Sequence, residues 1–195
     1  ARLLAEAGVE IVRGRGVLAG AHAVEVAGRV LTARHILIAT GGWPVVPDVP
    51  GAEHAITSNE AFHLASLPRR VIVVGGGYIA VEFCSIFGGL GADVRLVHRG
   101  GQLLRGFDHD LGRVLAEEMA HAGVALSLNA RIARIDRADG VLGVRLESGE
   151  VHETDLVMCA TGRAPNTRGL GLESAGVVLA PNGAVVKVAG IDHLR

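Results

Sequence analysis

A chain of 195 residues with 49% hydrophobic side chains has enough apolar material for one sizeable core or two small ones, which excludes a disordered or fibrous polymer. The net charge of −1 leaves no long-range field to attract nucleic acid or an anionic membrane. The apolar runs are strand-sized and broken by charge, so neither a signal peptide nor a membrane-spanning helix is expected.

Along the chain, Ala1 to Val9 reads as the last turns of a helix. Glu10 to Thr40 reads as short strands in hairpins, closing on a buried strand, His35-Ile36-Leu37-Ile38-Ala39-Thr40, before Gly41-Gly42. Trp43 to Pro68, with Pro44, Pro47, Pro50 and Pro68, reads as a connection rather than a packed element and puts a boundary near Pro68. Arg69 to about Asp93 predicts strand, glycine turn and helix. A second strand, Asp93 to Val97, and a second amphipathic helix, Leu111 to Ala122, stopped by Gly123, come next. Alternating segments from Val124 to Glu150, such as Arg131 to Ile135 and Val144 to Glu147, predict another antiparallel ribbon. It leads to an apolar strand, Asp155 to Ala160, and to Thr161-Gly162. The endings Leu37 to Gly41 and Val157 to Gly162 echo each other, which points to two copies of one nucleotide-binding architecture. Small residues that merely finish buried strands are the alternative.

The chemistry concentrates in Val71-Ile72-Val73-Val74-Gly75-Gly76-Gly77-Tyr78-Ile79-Ala80, an apolar strand running through glycines into a helix. Gly75 suits the tight turn and Gly77 the close approach of backbone to a pyrophosphate. Ala80 stands where a third glycine often lets helix and strand pack closely, and the helix N-terminal amides would hold the phosphates. Enzymes that bind NAD place an acidic residue at the end of the next strand for the ribose 2′-hydroxyl. This chain has His98-Arg99 there, with Arg105 six residues beyond Arg99. A 2′-phosphate carries about −1.5 to −2 charges near neutral pH, so a carboxylate would repel it and a guanidinium can grip it. NADPH is therefore favoured over NADH, the alternative being that Arg99 and Arg105 are solvated surface charges.

Cys84, in the predicted helix, and Cys159, in an apolar strand, have no Cys-x-x-Cys spacing. That argues for a reducing, cytoplasmic compartment and against a disulfide framework or zinc site, with both thiols buried and inert. The nine histidines form no ligand cluster and read as surface residues, so no metal is expected.

The runs Ala39 to Pro44, Pro50 to Asn59, Gly75 to Glu82, Leu104 to Asp108 and Ala160 to Thr167 together resemble the flavoprotein pyridine nucleotide–disulfide oxidoreductases, over nearly the whole chain. Ala-Thr-Gly and Gly-Arg-x-Pro-Asn are shared by members that reduce lipoamide, trypanothione, mercuric ion or thioredoxin. The run Ile56-Thr57-Ser58-Asn59, the stretch Tyr78 to Glu82, and Arg99 with Leu104-Arg105-Gly106-Phe107-Asp108 are more specific and favour glutathione disulfide as the small-molecule substrate. The resemblance implies an α/β fold: a Rossmann-like three-layer (ββα) NADPH-binding domain at 68–160, flanked at 1–67 and 161–195 by parts of a second, similar FAD-binding domain. It implies NADPH and FAD as cofactors of a homodimeric parent enzyme, in which hydride passes to the flavin and electrons to a cysteine pair.

Position by position, the resemblance makes Tyr78 the aromatic lid over the flavin and Glu82 the helix carboxylate near the flavin–nicotinamide contact. Gly75, Gly76, Gly77 and Ile79 become the pyrophosphate and ribose site, Arg99 and Arg105 the 2′-phosphate clamp, and Thr161-Gly162 the turn under the nicotinamide. Thr40 and Gly41, in the echoing turn, join the cofactor-binding set. For Tyr78 and Glu82 the plain readings, a first-turn aromatic and a solvated helix charge, stay open. Such enzymes also carry an N-terminal Gly-x-Gly-x-x-Gly, a Cys-x-x-x-x-Cys pair, a downstream Gly-Asp flavin motif and a C-terminal His-Pro pair, none of which occurs here. The expectation is a central fragment without catalytic residues and without turnover of its own, diverging at Lys187 to Arg195. A stand-alone NADPH-binding module is the alternative.

Overall fold

The computed structural model describes residues 2–187, so Ala1 and the divergent tail at 188–195 lie outside the described residues. The chain divides into two compact units, residues 1–43 with 164–195, and residues 44–163.

The first unit begins with α1 (Arg2–Glu6) and the antiparallel meander β1 (Val17–Gly20), β2 (Ala23–Val26) and β3 (Arg29–Thr32), the hairpins expected between Glu10 and Thr40. Its core is small: Leu18, Leu172 and Val177 are buried, with Ile36 and Ile38 packed against them. His35 to Thr40, expected as a buried strand, is irregular and pairs with no strand among the described residues, and Leu37 is 85% exposed. An unbroken apolar run forms a buried strand when both its faces are covered. Here only the Ile36 and Ile38 side meets a core.

The chain enters the second unit through β4 (Gly42–Pro44). It continues through α2 (Ser58–Ala61), β5 (Arg70–Val74), α3 (Tyr78–Gly89), β6 (Asp93–Val97), α4 (His109–His121), β7 (Ala125–Ser127), β8 (Ile132–Ala138), β9 (Val141–Leu146), β10 (Val151–Thr154) and β11 (Leu156–Cys159). It leaves through β12 (Arg163–Pro165), and β13 (Val178–Leu179) with β14 (Val185–Lys187) forms a hairpin of the first unit. Four parallel strands stand in the order β11-β5-β6-β7, and β8, β9 and β10 make a separate antiparallel sheet.

Period two in β5 explains the layering. Val71 and Val73 join Ala80, Val81, Phe83, Cys84 and Phe87 of α3 on one side, while Ile72 and Val74 join Ile132, Ile135, Leu142, Val144 and Leu146 of β8 and β9 on the other. The result is the three-layer ββα arrangement of a Rossmann-like unit. In α4 the Asp108 side chain caps the helix by accepting from the Asp110 amide at 2.8 Å.

Two expectations change. Val124 to Ser127 was assigned to the antiparallel ribbon, yet β7 is the fourth parallel strand. Val124 is buried on the helix side, and the turn at Gly123 brings the chain back beside β6. Residues 44–68 are not a loose connection but a strap on the second unit, whose contacts run from Pro44 to Arg163. Prolines lose their amide donors and keep their carbonyls: Pro50 O accepts from the Ile135 amide at 2.8 Å. Ile56 inserts its backbone beside β11, donating to Val157 O at 2.9 Å and accepting from the Cys159 amide at 2.7 Å. Gly51, at φ +81°, lies so close to β8 that a Cβ would stand 1.7 Å from Ile135 O. Thr57 and Glu60 then form a reciprocal capping box that starts α2. No helix among the described residues is long and apolar enough to cross a membrane.

Arg70 and Asp155 tie the amino ends of β5 and β11 together. Arg70 Nη2 lies 2.7 Å from Asp155 Oδ1, and the Arg70 amide donates to Asp155 Oδ2 at 2.9 Å. These bonds hold the Asp155 carboxyl below its ordinary value. A depressed folded value means that the stabilisation is complete above about pH 4, the ordinary carboxylate value, and is lost as pH falls through the lowered one. Asp155→Asn should therefore lower the urea midpoint at pH 7, with the gap to wild type narrowing as pH is taken below 4. Urea titrations across that range check it.

Candidate functional site

A cleft of about 650 Å³ opens at the carboxyl ends of β5 and β6, built wholly from the second unit. Its floor is the loop Gly75-Gly76-Gly77. Gly75 adopts φ +146°, and a Cβ there would stand 2.3 Å from Ala160 O, so only glycine lets β5 end beside β11. Gly77 has open space where its Cβ would be and caps α3 without offering a side-chain acceptor. The first-turn amides of α3 are thus left for an outside anion. One wall is the strap, with Val45, Pro47 and Val49. It is held by the Thr161 hydroxyl donating to Val45 O at 2.5 Å and the Val45 amide donating to Gly162 O at 2.9 Å.

The opposite wall is the loop after β6. Its Leu104 amide donates to Gly76 O at 2.7 Å, and Leu103 is fully buried, so Arg105 projects from a loop pinned to the glycines. Arg99 and Arg105 are exposed, line the cleft and have no ion-pair partner among the described residues. Arg131 adds a third cation and Glu147 one carboxylate at the rim. A cleft with three guanidiniums, an open glycine and unmatched amides is suited to a phosphorylated ligand.

Of the residues expected to bind cofactor, the structure brings Gly75, Gly76, Gly77, Arg99, Arg105, Thr161 and Gly162 together in this cleft. Tyr78, 58% exposed, Ile79 and exposed Glu82 sit on the first turns of α3 and do not line it. Thr40 and Gly41 belong to the first unit, where their carbonyls accept from Asn166, at 3.3 Å from Nδ2 and 3.0 Å from the amide. The strap, Arg131, Glu147 and His98 escaped sequence reasoning, because they come from segments read as connection or ribbon or from a residue read as surface.

The reading of all histidines as surface residues is corrected at three positions among the described residues: His54 is half-buried, and two others are more telling. His98 is half-buried against Gly76, and burial, with the Arg99 charge beside it, lowers its pKa. The His152 side chain is 12% exposed, its Nε2 lying 3.2 Å from Glu150 Oε1. Cys84 and Cys159 are buried, as expected, and burial pushes their thiols up to about 12 and about 11. Both stay protonated at neutral pH and cannot serve as nucleophiles.

Comparison with known proteins agrees with this architecture. The family profile described as pyridine nucleotide-disulphide oxidoreductase matches residues 1–189. A glutathione reductase of Burkholderia cepacia is 49% identical over 94% of this chain and 41% of its own length. A trypanothione reductase of Trypanosoma congolense is 44% identical over 80% of this chain and 32% of its own. The HOCl-induced flavoprotein disulfide reductase RclA from Escherichia coli superposes with TM-score 0.83 at 30% identity, over 91% of this chain and 42% of that one. The chain thus spans about two fifths or less of the curated relatives it matches. With the profile matched from end to end of the described residues, the chain belongs to the pyridine nucleotide-disulphide oxidoreductase family.

Proposed function

We propose that residues 44–163 bind NADPH for a flavoprotein that reduces glutathione disulfide. The observation that carries this is the cleft itself, where Arg99 and Arg105 stand beyond β6 without an ion-pair partner among the described residues, at the place where an NAD site keeps a carboxylate. The open position at Gly77 gives the pyrophosphate room, and the α3 amides give it donors. The likeness to glutathione reductases at 49% and 44% identity supports the substrate, with a trypanothione-type disulfide as the other candidate. A reducing, cytoplasmic setting accords with two buried free thiols.

NADPH bound here would supply a hydride, and FAD would accept it on the way to a disulfide. The chain's own residues do the positioning. Arg99 and Arg105 hold the 2′-phosphate, Gly75 to Gly77 admit the pyrophosphate, and Thr161-Gly162 close the floor beside Ala160. Tyr78 and Glu82, on the exposed first turns of α3, are proposed to meet the flavin, and Thr40 and Gly41 to belong to its binding portion.

Arg99→Glu should weaken NADPH roughly tenfold to a hundredfold, the equivalent of a hydrogen bond to a charged group at about 1.5–3 kcal/mol, and NADH far less. Calorimetric titration with both coenzymes reads this directly, and equal losses would overturn the clamp. Gly77→Val should abolish NADPH binding with an unchanged circular dichroism spectrum, since the added side chain meets no protein atom at its Cβ. The 195-residue polypeptide, with both thiols protonated, should not oxidise NADPH in the presence of glutathione disulfide, as followed at the absorbance of the reduced nicotinamide.

A further inference from the structure

We propose that His98 is a specificity-determining positioning residue: its imidazole, wedged between the glycine loop and the arginine loop, sets where Arg99 and Arg105 meet the 2′-phosphate. The proposal rests on the NADPH reading above. A Cβ built on Gly76 would stand 2.5 Å from Cγ, Nδ1 and Cε1 of His98 alike, so the flat of the ring lies over the Gly76 Cα. At the Nε2 end of the ring, a Cβ on Gly100 would stand 2.8 Å from Nε2. The imidazole is therefore packed closely against two glycines, one in each loop, and a side chain at either would force the ring to shift. Gly76 has no Cβ for a reason inside the protein, quite apart from any phosphate.

The backbone around His98 is fixed as firmly as its ring. Its amide donates to Ser127 O at 2.9 Å, and its carbonyl accepts from the Ala130 amide at 2.9 Å. On the loop's far side the Leu104 amide reaches Gly76 O at 2.7 Å. Residues 98 and 104 thus attach the arginine loop to its surroundings at both ends, and each is followed immediately by one of the two arginines. Removing the ring would leave these backbone bonds, with those from the Asn129 amide to Gly100 O and from the Gly75 amide to Val97 O, but would take away the side-chain packing between Gly76 and the start of the arginine loop, beside which Arg99 stands. Burial and the neighbouring Arg99 charge favour the neutral ring, so His98 acts as a spacer and adds no third cation to the clamp.

The test is calorimetric titration of the full chain with NADPH and NADH. His98→Ala is expected to weaken NADPH roughly tenfold, the loss of about one charge-assisted hydrogen bond, and to leave NADH within a factor of about two, so that discrimination falls. His98→Phe, which keeps a flat ring between the glycines, is expected to retain discrimination. Gly76→Ala, which drives a Cβ into the ring, is expected to lose it as His98→Ala does, and the double variant to lose no more than either alone. Equal losses of both coenzymes in His98→Ala, or strict additivity in the double variant, would overturn the wedge. Should His98→Ala not fold, the contrast of His98→Phe with Gly76→Ala decides, and equal behaviour of the two overturns the proposal. A preference for NADPH that Arg99→Glu abolishes and His98→Ala leaves intact removes the wedge alone, whereas a wild-type chain with no preference removes the NADPH reading too.

Discussion

Burial of both faces of β5 is the constraint on which the second unit depends. Val71 and Val73 look toward α3, Ile72 and Val74 toward the antiparallel sheet, and all four are at most 7% exposed. A strand with no free face can offer ligand chemistry only at its end, where the backbone turns and its amides lose their ladder partners. Gly75 makes that end abrupt, because the approach of Ala160 O leaves no room for a side chain. The helix that covers one face begins three residues later and brings its N-terminus to the same point, so the cleft follows from how the core is filled.

What the cleft does with an anion depends on charges left unspent. Arg70 is engaged by Asp155 and Glu153, Arg113 by Asp110 and Glu117, and Arg134 by Asp136. These pairs are on exposed parts of the surface, where such bridges contribute little. Arg99 and Arg105 stand apart from that pattern. The loop that carries Arg105 is anchored at Leu103 and Leu104, so its backbone is ordered by folding and only the side chain remains to be ordered in binding.

The strands and helices of the second unit were legible because local signals and tertiary packing agree there. Asp93 to Val97 is β6 residue for residue, and the glycine run opens α3 at Tyr78. The site was legible where it is contiguous, in Gly75 to Gly77 and around Arg99 and Arg105. It was not legible in Val45 to Val49, since the stretch 44–50 with its three prolines carries no periodicity and its attachment comes through backbone groups that the sequence does not display. Nor was it legible at His98, whose fit depends on two glycines at separations of 22 and 2 residues that meet only in the fold. The apolar run at Ile36 to Ile38 shows the reverse case: a strong strand signal has no partner among the described residues, and the run stays irregular.

The bond between the Val45 amide and Gly162 O joins the two places where the chain enters and leaves the second unit. Everything from 44 to 163 is an excursion whose ends are pinned together, so the first unit experiences it as a short loop. The entropy of closing a long loop grows slowly with length and falls on whichever part must bring the ends together. Here the inserted unit does so itself as it folds. The inserted unit has the anatomy of a transferable cassette, since compact segments with adjoining termini are those that hosts accept.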